Sequence, residues 1–151
     1  MLFKRLLDEN KLKAHRTSAA EIADLLKIVK RDINDTKLER LSPDRRFAIT
    51  YNAALQLATI LLHCKGCKGY RAVGAGHHFT VFQAMKEILG KEYEELADYF
   101  DSCRSKRNIT DYDRAGEISE TEVNELIDET LKFKALVIDW VKKNYSVFWE
   151  K

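Results

Sequence analysis

Apolar residues recur along most of the chain at intervals of three and four, the spacing that places them on one face of a helix. Clear stripes run from Ile22 to Ile33, from Phe47 to Leu62 and from Val123 to Val141. No segment sustains the alternation of apolar and polar residues that a half-buried strand requires. The pattern predicts an all-α protein, an up-and-down bundle of four to five antiparallel helices joined by short loops.

Several residues mark where these helices begin and end. The segments from Ser18 to Glu21 and from Ser119 to Glu122 have the Ser-x-x-Glu spacing of a capping box, in which side chains and backbone bond reciprocally at a helix start. Ser42 followed by Pro43 predicts a third start, because proline is well accommodated at the first helical position. Gly90 is placed to end a shorter helix. These signals agree with the apolar stripes.

Composition and charge narrow the class of protein. Apolar residues make up 45% of the chain and charged residues 33%, which is enough apolar surface for one core and predicts a single domain over residues 1–151. The net charge of +2 lacks the basic excess of a dedicated duplex-DNA binder. Charges throughout Met1 to Leu12 are unlike a signal peptide, and no apolar stretch looks long enough to cross a membrane. We therefore expect a cytoplasmic protein with reduced thiols and no membrane partner.

One predicted helix changes character toward its C-terminal end. Its first part, from Tyr93 to Cys103, carries an ordinary core stripe. At about 100° per residue, the same face then continues with polar side chains: Arg104, Arg107, Asn108, Asp111 and Tyr112. Burying such groups is costly unless they are paired, and Arg107 and Asp111 have the four-residue spacing of a helical ion pair. The run is either a solvated helix end with one ion pair or a functional site.

This run, from Cys103 to Asp113, resembles the signature of HEPN domains. In that family an arginine, usually followed by a polar residue, precedes a histidine by a short spacer near the end of a bundle helix. Arg107 and Asn108 match the first two positions, and the similarity extends over roughly residues 18–142. The resemblance implies a HEPN-like helical bundle.

Many HEPN proteins are metal-independent endoribonucleases, often toxins paired with an antitoxin, whose motif residues face a second copy across a dimer. The resemblance therefore implies an endoribonuclease of a toxin–antitoxin or defence system, with RNA as substrate and no cofactor. It also implies two protein partners, a second copy in a homodimer and a nucleotidyltransferase antitoxin. The catalytic residues would be the polar set: Arg104, Arg107, Asn108, Asp111 and Tyr112. Arginine suits this chemistry because its rigid fork stabilises charge on a phosphate.

The chain departs from the family at one position, because Tyr112 stands where the catalytic histidine would be expected. Histidine titrates near neutrality, whereas a phenol with a pKa near 10 is a poor base unless neighbouring arginines lower that pKa. Two hypotheses therefore stay open. One is a weak or conditional endoribonuclease. The other is a non-catalytic HEPN dimer that binds RNA, a nucleotide or a partner protein.

A glycine-rich loop between two predicted helices supplies candidate RNA-binding residues. It carries Lys68 and Arg71 together with an aromatic ring, a combination that suits single-stranded RNA, although a solvated loop is the simpler interpretation. His77 and His78 follow the loop. Either one histidine bonds to the backbone at the next helix start, or one approaches Arg107 and supplies the missing base.

Cys64 and Cys67 form a single Cys-x-x-Cys spacing. The pair is half of a zinc site, a redox pair, or a helix end that runs into a turn. Because no second Cys-x-x-Cys follows, we predict neither a metal site nor a cofactor.

Overall fold

The computed structural model describes residues 2–67, 69–112 and 118–150, and between 109 and 112 it describes the helix backbone alone. Within these residues the protein is mostly helical, with six α-helices and one small sheet. The helices are α1 (Leu2–Asp8), α2 (Ala19–Asp35), α3 (Pro43–Cys64), α4 (His77–Leu89), α5 (Glu94–Tyr112) and α6 (Glu120–Asn144). The strands are β1 (Leu12–Ala14) and β2 (Tyr70–Ala72). The all-α class is confirmed, and the short α1 adds a helix to the four to five expected.

Helix α3 lies at the centre of the core and packs against α2, α4, α5 and α6. Its small side chains at Ala53, Ala54 and Ala58 are fully buried, which allows its neighbours to approach closely. Contrary to the sequence-based expectation, Pro43–Cys67 is long and apolar enough to cross a membrane, as judged by length and composition. However, 72% of its apolar window is buried inside the fold, which is the property of a core helix.

The predicted helix starts are confirmed by their hydrogen bonds. The Ser42 hydroxyl accepts from the backbone N–H of Arg45 at the start of α3. At the start of α6, Ser119 and Glu122 form the complete reciprocal capping box. Gly90 ends α4, as expected.

Helix α4 begins earlier than its apolar stripe indicated, because His77 and His78 form its first turn instead of preceding it. Helix α4 packs against α5, whose predicted stripe is confirmed by the burial of Ala97, Phe100 and Cys103. The Phe100 ring lies 5.9 Å from the Phe82 ring of α4, measured between centroids. This packing aligns the start of α4 with the polar end of α5.

The two strands form an antiparallel pair that sequence analysis did not predict. Lys13 of β1 is opposite Arg71 of β2, and Leu12 is opposite Ala72. Each strand has only three residues, too few to show the alternation by which a strand is recognised. The pair fastens the N-terminal segment to the glycine-rich loop.

Candidate functional site

A surface cleft of about 210 Å³ separates the start of α4 from the end of α5. It is lined by Gly76, His77 and His78 on one side and by Arg104 and Asn108 on the other. The structure thus brings two histidines from the glycine-rich loop to the arginine and amide of the polar helix end. Sequence analysis had raised this meeting only as one of two alternatives for the histidines.

Glycines direct the chain into this arrangement. Gly74 and Gly76 have positive φ angles of 80° and 73°, a backbone conformation that residues other than glycine rarely adopt. The turn they form delivers His77 and His78 to the first turn of α4. Nδ1 of His77 lies 3.2 Å from the carbonyl oxygen of Gly74, which is the backbone bond anticipated for one of the two histidines. The N-terminus of α4 also adds partial positive charge beside the cleft.

Tyr51, a core residue of α3, contacts His78 through its hydroxyl group. Its hydroxyl lies 3.1 Å from Nδ1 of His78, and its residue is only 1% exposed. The guanidinium carbon of Arg107 lies 5.6 Å from the centroid of the Tyr51 ring. Burial raises the pKa of Tyr51 above its ordinary value, so the phenol stays protonated. Sequence analysis missed this role because Tyr51 occupies a regular position in the apolar stripe of α3.

The charge state of His78 follows from its surroundings. Burial of the ring, together with the charges of His77, Arg107 and Arg104, lowers the pKa of His78 to about 4. The imidazole is therefore neutral at pH 7, with one ring nitrogen able to accept a proton. An anion that bound to the arginines would offset their charge and raise the pKa of His78 toward neutrality.

The two arginines of the motif are anchored differently. Nε of Arg104 donates a hydrogen bond to Oδ1 of Asp101 at 2.8 Å, and this bond raises the pKa of the arginine. The Arg104 side chain is 26% exposed. Arg107 is half-buried against Tyr51, and Asn108 is exposed. The cleft therefore offers an anion one fixed cation and an accessible amide.

The remaining candidates are not part of this cleft or lie outside the description. Arg71 is exposed on β2, away from the cleft lining, and its charge acts on His63. Lys68 lies outside the described residues. The backbone of α5 runs through Asp111 and Tyr112, but their side chains are also outside the described part. The Arg107–Asp111 pair and the role of Tyr112 stay predictions.

The Cys-x-x-Cys pair has properties that argue against redox chemistry. Cys64 is buried and Cys67 exposed, and both are free thiols. Burial raises the pKa of Cys64 to about 12, so its reactive thiolate form is scarce at neutral pH. Within the described part of the chain, the group of side chains spaced to hold a metal contains neither cysteine and consists of His15, Glu21 and His63.

The chain matches no protein-family model, and comparisons with curated proteins and with solved structures found no match either. The cleft combines two imidazoles from the N-terminus of α4 with a guanidinium and an amide from α5. This set suits the recognition of a phosphate group and, with a neutral imidazole, the transfer of a proton.

The lowered pKa of His78 predicts a pH-dependent stability. As pH falls from 6.5 toward 4, His78 binds a proton in the unfolded chain but stays neutral in the folded protein. Because protonation then stabilises the unfolded state, the free energy of unfolding falls. Allowing for the partial exposure of the ring, we expect a loss of about 1 kcal/mol between about pH 7 and pH 5 from this residue. Urea denaturation of wild type and His78→Gln at both pH values measures it, because the variant lacks this component.

The comparison isolates His78, since His63, whose pKa burial also lowers, contributes equally to both proteins. Identical pH dependence in wild type and variant would contradict the burial of a neutral His78.

Proposed function

We propose that the protein is a HEPN-type helical bundle directed at RNA, acting as an endoribonuclease in a toxin–antitoxin or defence pair with a nucleotidyltransferase antitoxin. One observation carries the proposal. The cleft unites His77 and His78 with Arg104 and Asn108 of the segment that resembles the HEPN signature. The imidazole that the motif lacks at Tyr112 is supplied in this proposal from α4.

The proposed chemistry divides the work of RNA cleavage between the two sides of the cleft. Arg104 binds the scissile phosphate, and Arg107 beside the cleft helps to stabilise the charge that develops on it. In the tautomer that this chemistry requires, Nδ1 of His78 carries a hydrogen toward the Tyr51 hydroxyl, and Nε2 accepts the proton of the ribose 2′-hydroxyl. The 2′-oxygen then forms its bond to phosphorus while the bond from phosphorus to the 5′-oxygen breaks, and the 5′-oxygen takes up a proton from water. Phosphate binding raises the pKa of His78 from about 4, which makes the ring a stronger base when substrate is present. No step requires a metal ion.

The alternative is a non-catalytic module that uses the same cleft to bind RNA, a nucleotide or a partner protein. The observation that favours it is the pKa of about 4 for His78 in the absence of a bound anion, which makes the free imidazole a weak base. Under this alternative the arginines bind phosphate and the cleft performs no proton transfer.

Cleavage of single-stranded RNA in the presence of EDTA tests the proposal. We expect wild type to cleave and His78→Gln to lose about 100-fold or more in rate, because positioned acid–base groups contribute on that scale. The variant's melting temperature at neutral pH reports whether it remains folded. Equal cleavage by both folded proteins would reject His78 as the base. RNA binding without any cleavage by wild type would support the binding module.

We also propose a homodimer in which the ends of α5 approach one another, so that a second copy completes the cleft. The arrangement is motivated by the polar side chains of Arg104, Arg107 and Asn108, which continue the core stripe of α5 where apolar residues were expected. Light scattering at tens of micromolar should give twice the chain mass of 17.5 kDa. A strict monomer would contradict the shared cleft.

A further inference from the structure

A second cluster of polar side chains lies near the C-terminal end of α3, away from the cleft. His63 of that helix is twelve residues from Tyr51, about 18 Å along the helix axis. Nε2 of His15 lies 2.7 Å from Oε1 of Glu21, and Nε2 of His63 lies 3.8 Å from the same oxygen. The three ligand atoms are all within 4.8 Å of one another.

The hydrogen bond on the far side of the His63 ring defines which nitrogen faces the cluster. Nδ1 lies 2.9 Å from the carbonyl oxygen of Tyr70, which can only accept, so Nδ1 carries the hydrogen. In the neutral ring, Nε2 then presents a lone pair toward the Glu21 carboxylate at a separation beyond hydrogen-bond distance. The His63 side chain is only 10% exposed. A lone pair that faces a carboxylate in a nearly buried place is an arrangement that a cation stabilises.

Glu21 is held in the cluster instead of performing its expected capping role. In the complete capping box of α6, the Glu122 side chain accepts from the backbone N–H of Ser119. At the start of α2, Ser18 accepts from the backbone N–H of Glu21 in the same way. The Glu21 carboxylate, however, bonds to His15 and accepts a 2.7 Å hydrogen bond from the hydroxyl of Thr17. The bond from Thr17, which lies outside the three-residue cluster, is of the kind that orients the ligands of a metal site.

The backbone at Gly69 holds the two histidines together. Its carbonyl oxygen accepts a 3.1 Å hydrogen bond from the backbone N–H of His15. A Cβ atom at position 69 would lie 2.3 Å from the carbonyl oxygen of His63 and 2.4 Å from that of His15. The two ligand-bearing segments therefore approach each other as closely as a glycine allows, and the cluster is preorganised by the backbone.

We propose that His15, Glu21 and His63 bind a single divalent transition-metal ion of the zinc class, with water as the fourth ligand. In a tetrahedral zinc site with bonds of about 2.1 Å, ligand atoms lie roughly 3.4 Å apart. The distances of 2.7 Å and 3.8 Å to Glu21 lie on either side of that value, so small side-chain rotations complete the site. Two imidazoles with one carboxylate favour zinc over magnesium or calcium, which prefer oxygen ligands.

Binding needs one rearrangement and has a structural consequence. Because the Glu21 carboxylate can only accept, Nε2 of His15 carries the hydrogen of their bond, and it must lose that proton for its lone pair to face the ion. His15 precedes α2, Glu21 lies in the first turn of α2, and His63 lies near the end of α3. The bound ion would therefore link these three segments of the chain. The partial exposure of His15 and Glu21, at 24% and 38% of the side chain, gives the ion an entry path.

Zinc titration of the full chain, first stripped with EDTA, tests the proposal by calorimetry and thermal denaturation. We expect one equivalent to bind and the melting temperature to rise by about 5 °C or more at a hundredfold excess over Kd. His15→Gln and Glu21→Gln should each weaken binding at least about tenfold. Both residues are partly exposed, so these variants keep the test valid even if His63→Gln fails to fold.

Two controls address the other zinc-binding groups of the chain. The double variant His77→Gln/His78→Gln removes the cleft imidazoles and should bind zinc as wild type does. Cys67→Ser removes the exposed thiol and should do the same. Absence of binding, binding that survives His15→Gln and Glu21→Gln, or binding lost in either control would overturn the site. Because EDTA is present in the RNA cleavage assay, the two proposals fail independently.

Discussion

Gly69→Ala is expected to destabilise the protein by about 4 kcal/mol and to lower its melting temperature by about 10 °C. The reason is the backbone contact between the ends of two chain segments. The added Cβ would lie 2.3 Å and 2.4 Å from the carbonyl oxygens of His63 and His15, and backbone atoms cannot move aside as a flexible side chain can. The φ angle of 67° adds strain. Urea and thermal denaturation measure both quantities.

Gly66→Ala is the matched control. Gly66 has the same φ angle of 67°, but a Cβ there meets nothing within 4 Å. We expect a loss of only about 1 kcal/mol, which is the strain of the backbone conformation alone. Equal losses in the two variants would contradict the close approach of His15 and His63 at Gly69, and would also weaken the metal-site proposal.

Arg107→Ala is expected to reduce RNA cleavage or RNA binding by about 100-fold, because it removes a charge-stabilising donor next to the cleft. Its effect on stability should be smaller, below about 2 kcal/mol, which is the scale of the contact between the guanidinium and the Tyr51 ring. A buried structural ion pair would instead lose roughly 3–5 kcal/mol when one partner is removed. Cleavage assays and thermal denaturation of the same preparation separate the two effects.

Two further variants sharpen this test. Arg40→Ala removes one positive charge from an exposed position before α3 and should leave RNA activity nearly unchanged. Arg107→Lys keeps the charge but loses the planar fork, so it should recover only part of the activity. A large fall in melting temperature for Arg107→Ala, with RNA activity intact, would favour the purely structural interpretation.

The outline of the bundle could be predicted because its signals are local. A helix buries one face, so its apolar residues must repeat every three to four positions whatever packs against them. Caps are equally local, since Ser42 and Ser119 bond to backbone groups within the first turn that follows them. For the same reason, the helical periodicity of α5 revealed that polar residues such as Arg104 and Asn108 occupy positions where core residues were expected.

The two clusters depended on contacts between elements, about which local periodicity carries no information. Tyr51 looked like any core aromatic until packing set its hydroxyl against His78. Glu21 had the spacing of a capping residue, but its carboxylate bonds to the side chains of His15 and Thr17 instead of to the backbone.

What the sequence determined by itself is the helical class, the starts of α2, α3 and α6, the end of α4 and the unusual polar end of α5. The tertiary structure alone decided which residues share a site. The turn at Gly76 carries His77 and His78 to α5, and the close approach at Gly69 brings His15 to His63. The physical reason is that a glycine in the sequence shows where the chain can adopt a positive φ angle. Which elements the following segment then meets depends on packing between residues that are far apart in the sequence.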